Sequence, residues 1–277
     1  MDVQLGRFRA QCERPEPAKF AWPIVLVPDL FTATRHLAVL MGYLATIGWE
    51  VYAPDFRVAD AGNPGSMQGP FRFADLAAMV REAIDALTRD AIVLGHGAGG
   101  LAALAIAAHP RVKAAVAYAP LIPGFRTALG GGIANRFAAW RGKPIKPPTG
   151  RQLFEFIADA DPYQRDGLIA AMVPASGALM ADIAAGTIDF GTPENSAPRL
   201  IVAGDSDVFA PRDRTVAFAK SIGAKMAIIP GRGHWLIGGR ALERAIGEAQ
   251  RFLVRALGQD LLLLYPEEWK NDPDPED

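Results

Sequence analysis

From residue 23 onward, compact apolar runs alternate with windows of helical spacing, and that alternation restricts the chain to βαβ units in a mostly parallel sheet. The runs are PIVLV (23–27), EVYAP (50–54), AIVLG (91–95), KAAVAYA (113–119), RLIVAG (199–204) and KMAIIP (225–230). Several end in glycine or proline, and their near-continuous apolar character suits strands buried on both faces. Between them, Leu37, Leu40, Met41 and Leu44 keep helical spacing, as do Phe73, Leu76, Val80 and Leu87. The stretch LAALAIAA (101–108) is apolar all round, which predicts the most deeply buried helix. The alternation fails between about residues 121 and 195, where Gly130–Gly132 and KPIKPP (143–148) precede several helical windows. The expected organisation is therefore a core of residues 1–120 and 196–260, a helical cap inserted at 121–195, and an acidic, proline-containing tail at 261–277.

The strand AIVLG runs into His96-Gly97-Ala98-Gly99-Gly100 and then into a helix, the strand, sharp turn and helix of a nucleophile elbow. Gly95, His96, Ala98 and Gly99 match the G-x-S-x-G frame, with Gly97 in the serine's place. GWEVYAPDFR followed by Gly62, Gly65 and Ser66, then Gly204, Asp207 and Pro211, then PGRGHW with His234, supply three more matches in order. On these residues the chain resembles the α/β-hydrolase superfamily over about residues 20–257. The resemblance implies a mostly parallel, doubly wound sheet with a cap. It also implies Asp207 as the acid, His234 as the catalytic histidine, and the backbone amides of Leu30 and Ala98 as the oxyanion hole. Two departures stand out. Pro28-Asp29 replaces the family's His-Gly after the third strand, which puts the oxyanion loop in doubt, and Gly97 carries no side chain, so no acyl-enzyme can form there. Glycine itself is comfortable at the strained apex of such a turn.

Function follows from what remains. His234, oriented by Asp207, is expected to act as a general base in chemistry without a covalent intermediate, hydrolase-like or lyase-like, with Leu30 and Ala98 amides stabilising negative charge. The alternatives are a ligand-binding pseudoenzyme, or an esterase, lactonase or thioesterase in which an engineered glycine replaces the serine. Gly95, Gly97 and Gly100 also spell G-x-G-x-x-G, a dinucleotide fingerprint, but the next strand lacks the acidic residue that would hold the ribose. His96, Trp140 and Phe154 are the expected substrate-binding residues, and Phe137, Phe156 and Met172 add to an apolar cap that suits an apolar acyl or carbonyl-type ligand. Ser66 and Ser206 are the other hydroxyls considered as displaced nucleophiles.

A formal charge of −1 and a pI near 6.4 leave no basic field for nucleic acid or an anionic membrane, so a small-molecule ligand is expected. The single cysteine, Cys12, closes no intrachain disulfide. The four histidines lack ligand spacing, so no metal and no cofactor are expected. With no apolar leader and no run of about 18 apolar residues, the sequence predicts a cytoplasmic protein.

Overall fold

A computed structural model describes residues 1–56, 71–125, 135, 138, 141 and 143–263. Eight strands form one sheet: β1 (Asp2–Leu5), β2 (Phe8–Glu13), β3 (Ile24–Val27), β4 (Val51–Pro54), β5 (Ala91–His96), β6 (Val112–Tyr118), β7 (Arg199–Gly204) and β8 (Lys225–Ile229). Their order is β1-β2-β4-β3-β5-β6-β7-β8. Pairings from β4 onward are parallel, whereas β1–β2 and β2–β4 are antiparallel. The six expected runs are all strands. The sixth-strand boundary moves to Val112 because that residue pairs with Ala91 through a register shift.

Strands β1 and β2 were not expected, although β2 carries the signal. Phe8, Ala10 and Cys12 are buried while Arg9, Gln11 and Glu13 face out, the two-residue alternation of a strand packed on one face. Phe8 is fully buried, edge-on to Phe56 at 5.3 Å between ring centroids.

Helices α1 (Ala38–Thr46), α2 (Phe73–Asp85), α3 (Gly97–Ala105), α7 (Arg212–Ser221) and α8 (Leu242–Leu257) accompany the sheet. Helix α1 buries Leu40, Met41 and Leu44, and α2 buries Phe73, Leu76 and Val80, as their spacing requires. In α3 every residue from Gly97 to Leu104 is buried, so this helix sits at the centre of the molecule.

Between β6 and β7 lie α4 (Gly150–Phe156), α5 (Arg165–Ala170) and α6 (Gly177–Ala185). Helix α6 shows why this region is helical. Ser176 caps its start by accepting from the Leu179 amide at 3.3 Å, and Gly186 ends it at φ +73°, where a Cβ would be penalised. The cap is tied down by Asp182, whose carboxylate pairs with Arg72 and accepts from the Phe73 amide at 3.0 Å. A short backbone exchange joins Ile145 and Ala175 where only helices were expected. The expected tail begins packed, since Leu261 is fully buried and Leu262 bridges Phe20; residues 264–277 lie outside the described residues. Among the described residues no helix is long and apolar enough to cross a membrane.

If β2 is integral to the sheet, Phe8→Ala should cost about 3–5 kcal/mol in chemical denaturation. A loss below about 1 kcal/mol, the range of a surface change, would mean that the antiparallel edge is dispensable.

Candidate active site

Four loops at the carboxyl ends of the parallel strands meet at one point. Strand β5 ends at His96 and turns sharply into α3 at Gly97, whose φ is +52°. The loop after β3 brings Asp29, the loop after β7 brings Asp207, and the loop after β8 brings His234. The turn is tight enough to need its glycines: a Cβ on Gly95 would strike the Gly99 carbonyl, and one on Gly99 would strike that of Val27.

Asp207 and His234 are in direct contact, with His234 Nδ1–H donating to Asp207 Oδ2 at 2.8 Å. The other carboxylate oxygen of Asp207 accepts from the amides of Phe209 at 2.8 Å and Ala210 at 3.1 Å. Burial opposes ionisation of Asp207, yet His234 and these two amides hold its pKa below the usual carboxylate range.

The position that a serine side chain would fill is taken by Asp29. A Cβ built on Gly97 would collide with the Asp29 carboxyl group. Asp29 Oδ1 accepts from both the Leu30 and the Ala98 amides at 2.7 Å, and Oδ2 accepts from His234 Nε2 at 3.0 Å. Leu30 and Ala98, expected as free oxyanion donors, are therefore engaged by the protein's own carboxylate. The geometry follows from charge and local backbone. Ala98 is at the amino end of α3, where amides and helix dipole favour an anion. Phe31, at φ +63°, turns the loop immediately after the Leu30 amide has met Asp29. A bulky residue in this region is strained by about 1–3 kcal/mol, which the surrounding contacts must offset. One of these is the Val173 amide of the cap, donating to the Phe31 carbonyl at 3.0 Å.

His234 thus lies between two carboxylates, one on each ring nitrogen. Burial alone would lower its pKa; Asp207 and then Asp29 outweigh it and push it up to about 10. With a carboxylate oxygen on each ring nitrogen, the geometry favours the imidazolium, in which the expected general base has no free lone pair. Phe156 and Phe209 flank the ring at 5.3 and 5.4 Å, keeping the site dry.

The side chain of His96 is closed off from solvent. It is fully buried beneath the site, its Nε2–H donating to the His234 carbonyl at 2.8 Å, and burial, against the pull of Asp29, lowers its pKa to about 4. Its Nδ1 has no hydrogen-bond partner and lies 3.6 Å from Asp29 Oδ2. Phe154 is on the outer surface of the cap, 62% exposed, with the Arg165 guanidinium over its ring. Trp140, Phe137 and Ser66 lie outside the described residues. Ser206 is exposed and donates to Asp205 Oδ1, which fixes the turn by accepting from the Gly231 amide at 2.7 Å. Sequence spacing gave no metal-ligating group, but folding brings ligand atoms of Asp29, His96 and His234 within 4.8 Å of one another. Another residue escaped notice: buried Asp159, on the cap, accepts from the Gly233 amide at 2.6 Å and so braces the histidine loop. A lone aspartate in LFEFIADA gives no sign of that role.

A narrow cleft of about 20 Å³ opens beside Asp29 and Ala98, walled by Phe31, Leu76, Val173 and Leu179. It has room for a water molecule, and anything larger needs its walls to move apart.

A parallel sheet that delivers an elbow, an acid and a histidine in this chain order defines the class of α/β proteins built on the hydrolase plan. A model of the alpha/beta hydrolase family matches residues 22–246, and the chain belongs to that family. Among solved structures it is similar to a monoacylglycerol lipase of Paleococcus ferrophilus, with TM-score 0.70 and 17% identity over 89% of this chain and 98% of that one. It is similar also to an enol-lactonase of Burkholderia xenovorans LB400, with TM-score 0.61 and 18% identity over 93% and 99% of the two chains. A lipase-esterase related protein of Clostridium acetobutylicum aligns with TM-score 0.69 and 14% identity over 89% and 100%. At these identities the likeness is one of fold. No curated protein matches the sequence.

The raised pKa of His234 makes a signed prediction for stability in metal-free buffer. Its contribution is complete below the unfolded value of 6.5 and is lost as pH rises through about 10. The depressed Asp207 works in the opposite sense, its contribution present above the unfolded value of 3.8 and lost in acid. The melting temperature should therefore fall between pH 6.5 and 10, and His234→Gln should flatten that alkaline slope. Equal slopes in both proteins would contradict the imidazolium assignment.

Proposed function

We propose that this hydrolase-family protein forms no acyl-enzyme and is a ligand-binding member of the family, its oxyanion hole filled by its own Asp29 carboxylate. The observation that carries the reading is Asp29 Oδ1 accepting from the Leu30 and Ala98 amides, both at 2.7 Å. These are the two donors that would stabilise the oxyanion of a tetrahedral intermediate. With an anion already there, a substrate's carbonyl oxygen has no place to develop charge, and Gly97 offers no nucleophile. The same carboxylate speaks against a dinucleotide, because a pyrophosphate would need the helix terminus that Asp29 holds. The apolar walls of the cleft suit a small neutral molecule. The presence of a lipase and a lactonase among the structural neighbours favours one with ester-like or lactone-like shape.

The retained contact between Asp207 and His234 favours one second reading, non-covalent chemistry in which Asp29 leaves the hole as substrate arrives. His234 enters such a reaction protonated and serves first as an acid, the reverse of the role expected from sequence. The two readings differ in a simple assay of the unaltered protein: His234-dependent turnover of esters or lactones supports the second and overturns the first.

Restoring a serine alone should fail, because its Cβ meets the Asp29 carboxyl group. With p-nitrophenyl acetate, the wild type, Gly97→Ser and Asp29→Gly should all stay at background. The double variant Asp29→Gly/Gly97→Ser should rise at least about 100-fold above the singles, the order of one to two oxyanion donors regained. Activity in Gly97→Ser alone would show that Asp29 does not block the hole.

A further inference from the structure

We propose that Asp29, His96 and His234 form a binding site for a divalent transition-metal ion, with Asp29 Oδ2, His96 Nδ1 and His234 Nε2 as its ligand atoms. This goes beyond the reading above and is compatible with it, since Asp29 Oδ1 stays on the two amides while Oδ2 meets the ion.

The first argument is an unpaired lone pair. His96 Nε2–H donates to the His234 carbonyl, so a neutral His96 carries its free lone pair on Nδ1. That atom is buried without a partner and faces Asp29 Oδ2 at 3.6 Å. Two acceptors confronting each other in a dry interior call for a cation between them. Distance is the second argument. Asp29 Oδ2 is 3.0 Å from His234 Nε2, and all three ligand atoms lie within 4.8 Å of one another. Bonds of about 2.0–2.2 Å from a common centre span such a triangle with shifts of a few tenths of an ångström.

The third argument is that each ligand already has the outer partner that fixes a metal ligand's orientation. His234 is held through Nδ1–H by Asp207, His96 through Nε2–H by a backbone carbonyl, and Asp29 through Oδ1 by two amides. In each case the atom left over is the one that points to the shared centre. Two imidazoles and one carboxylate suit zinc, cobalt, iron(II) or manganese and disfavour calcium and magnesium, which prefer all-oxygen shells. The ion would replace the proton shared by Asp29 Oδ2 and His234 Nε2, and that proton would pass to solvent.

The test uses the full, tag-free chain, freed of metal with a chelator, desalted, and titrated with Co²⁺ followed by its visible absorption and with Zn²⁺ by calorimetry. One ion per chain is expected, together with a rise in melting temperature. Asp29→Asn and His96→Gln should each weaken Co²⁺ binding at least about 100-fold, the upper end of what losing even an outer partner does. His109→Gln, on a histidine paired with Asp85 outside the cluster, should bind like the wild type. Circular dichroism of the metal-free variants checks folding. If neither ligand variant folds, the wild-type Co²⁺ complex decides the matter through paramagnetically shifted proton signals from two imidazoles. The proposal is overturned by a wild type that binds no Co²⁺ at millimolar concentration, by binding that survives His96→Gln, or by a complex without two shifted imidazoles. Ester turnover plays no part in these readouts, so their failure leaves the ligand-binding reading intact.

Discussion

A single buried carboxylate organises the centre of this molecule. Asp29 joins the loop after β3 to the amino end of α3 through the Ala98 amide and to the loop after β8 through His234, so three separate chain segments converge on one side chain. Hydrogen bonds to an ionised group are worth about 1.5–3 kcal/mol each, and leaving a buried charge without them costs more. Three such bonds to a side chain with no exposed surface make the site rigid and dry. Asp207 repeats the design on the far side of the ring, where two amides and the same imidazole satisfy it. The result is an alternating chain of carboxylate, imidazolium and carboxylate, closed at both ends by backbone amides.

That chain decides what the family's architecture can do here. In a serine hydrolase the histidine must accept a proton and the hole must stand ready for an oxyanion. Here the hole already holds an anion, Asp29, and Asp207 together with Asp29 favours the protonated histidine. The arrangement resembles, in charge and position, the intermediate that an active relative would form only during turnover. The same surroundings leave one mismatch, the bare Nδ1 of His96, and a metal ion would resolve it.

Much of this was readable in the chain, and the limits have physical causes. Strands buried on both faces announce themselves as apolar runs, so β3 to β7 are legible nearly to the residue; the half-buried edge strand β8 keeps an apolar run as well, whereas β2, wet on one face, shows only the alternation in FRAQCE. Glycines at 95 and 99 are legible because a turn this close leaves no room for a side chain at either position. The positions of Asp207 and His234 followed from chain order. Phe154 was misjudged because helical spacing gives a helix two faces and does not say which one meets the core; its ring faces outward while Phe156, two residues on, is buried. The clustering of Asp29 with His96 and His234 was invisible, since separations of 67 and 205 positions carry no ligand spacing, and only the crossover order of the sheet brings the three loops together.

The most instructive feature was in view throughout as two separate departures from the family pattern. An aspartate stood where the His-Gly pair belongs, and a glycine stood where the serine belongs, and each read alone suggests damage. Together they are one substitution. The carboxylate can enter the hole only if position 97 has no Cβ, and a bare position 97 leaves a void beside two unpaired amides unless something polar fills it. Asp29 in its present position is not compatible with a serine, whose Cβ would clash with the carboxyl group. The pair therefore acts as one unit, in which a carboxyl group carried by the neighbouring loop occupies the space that a side chain at position 97 would need.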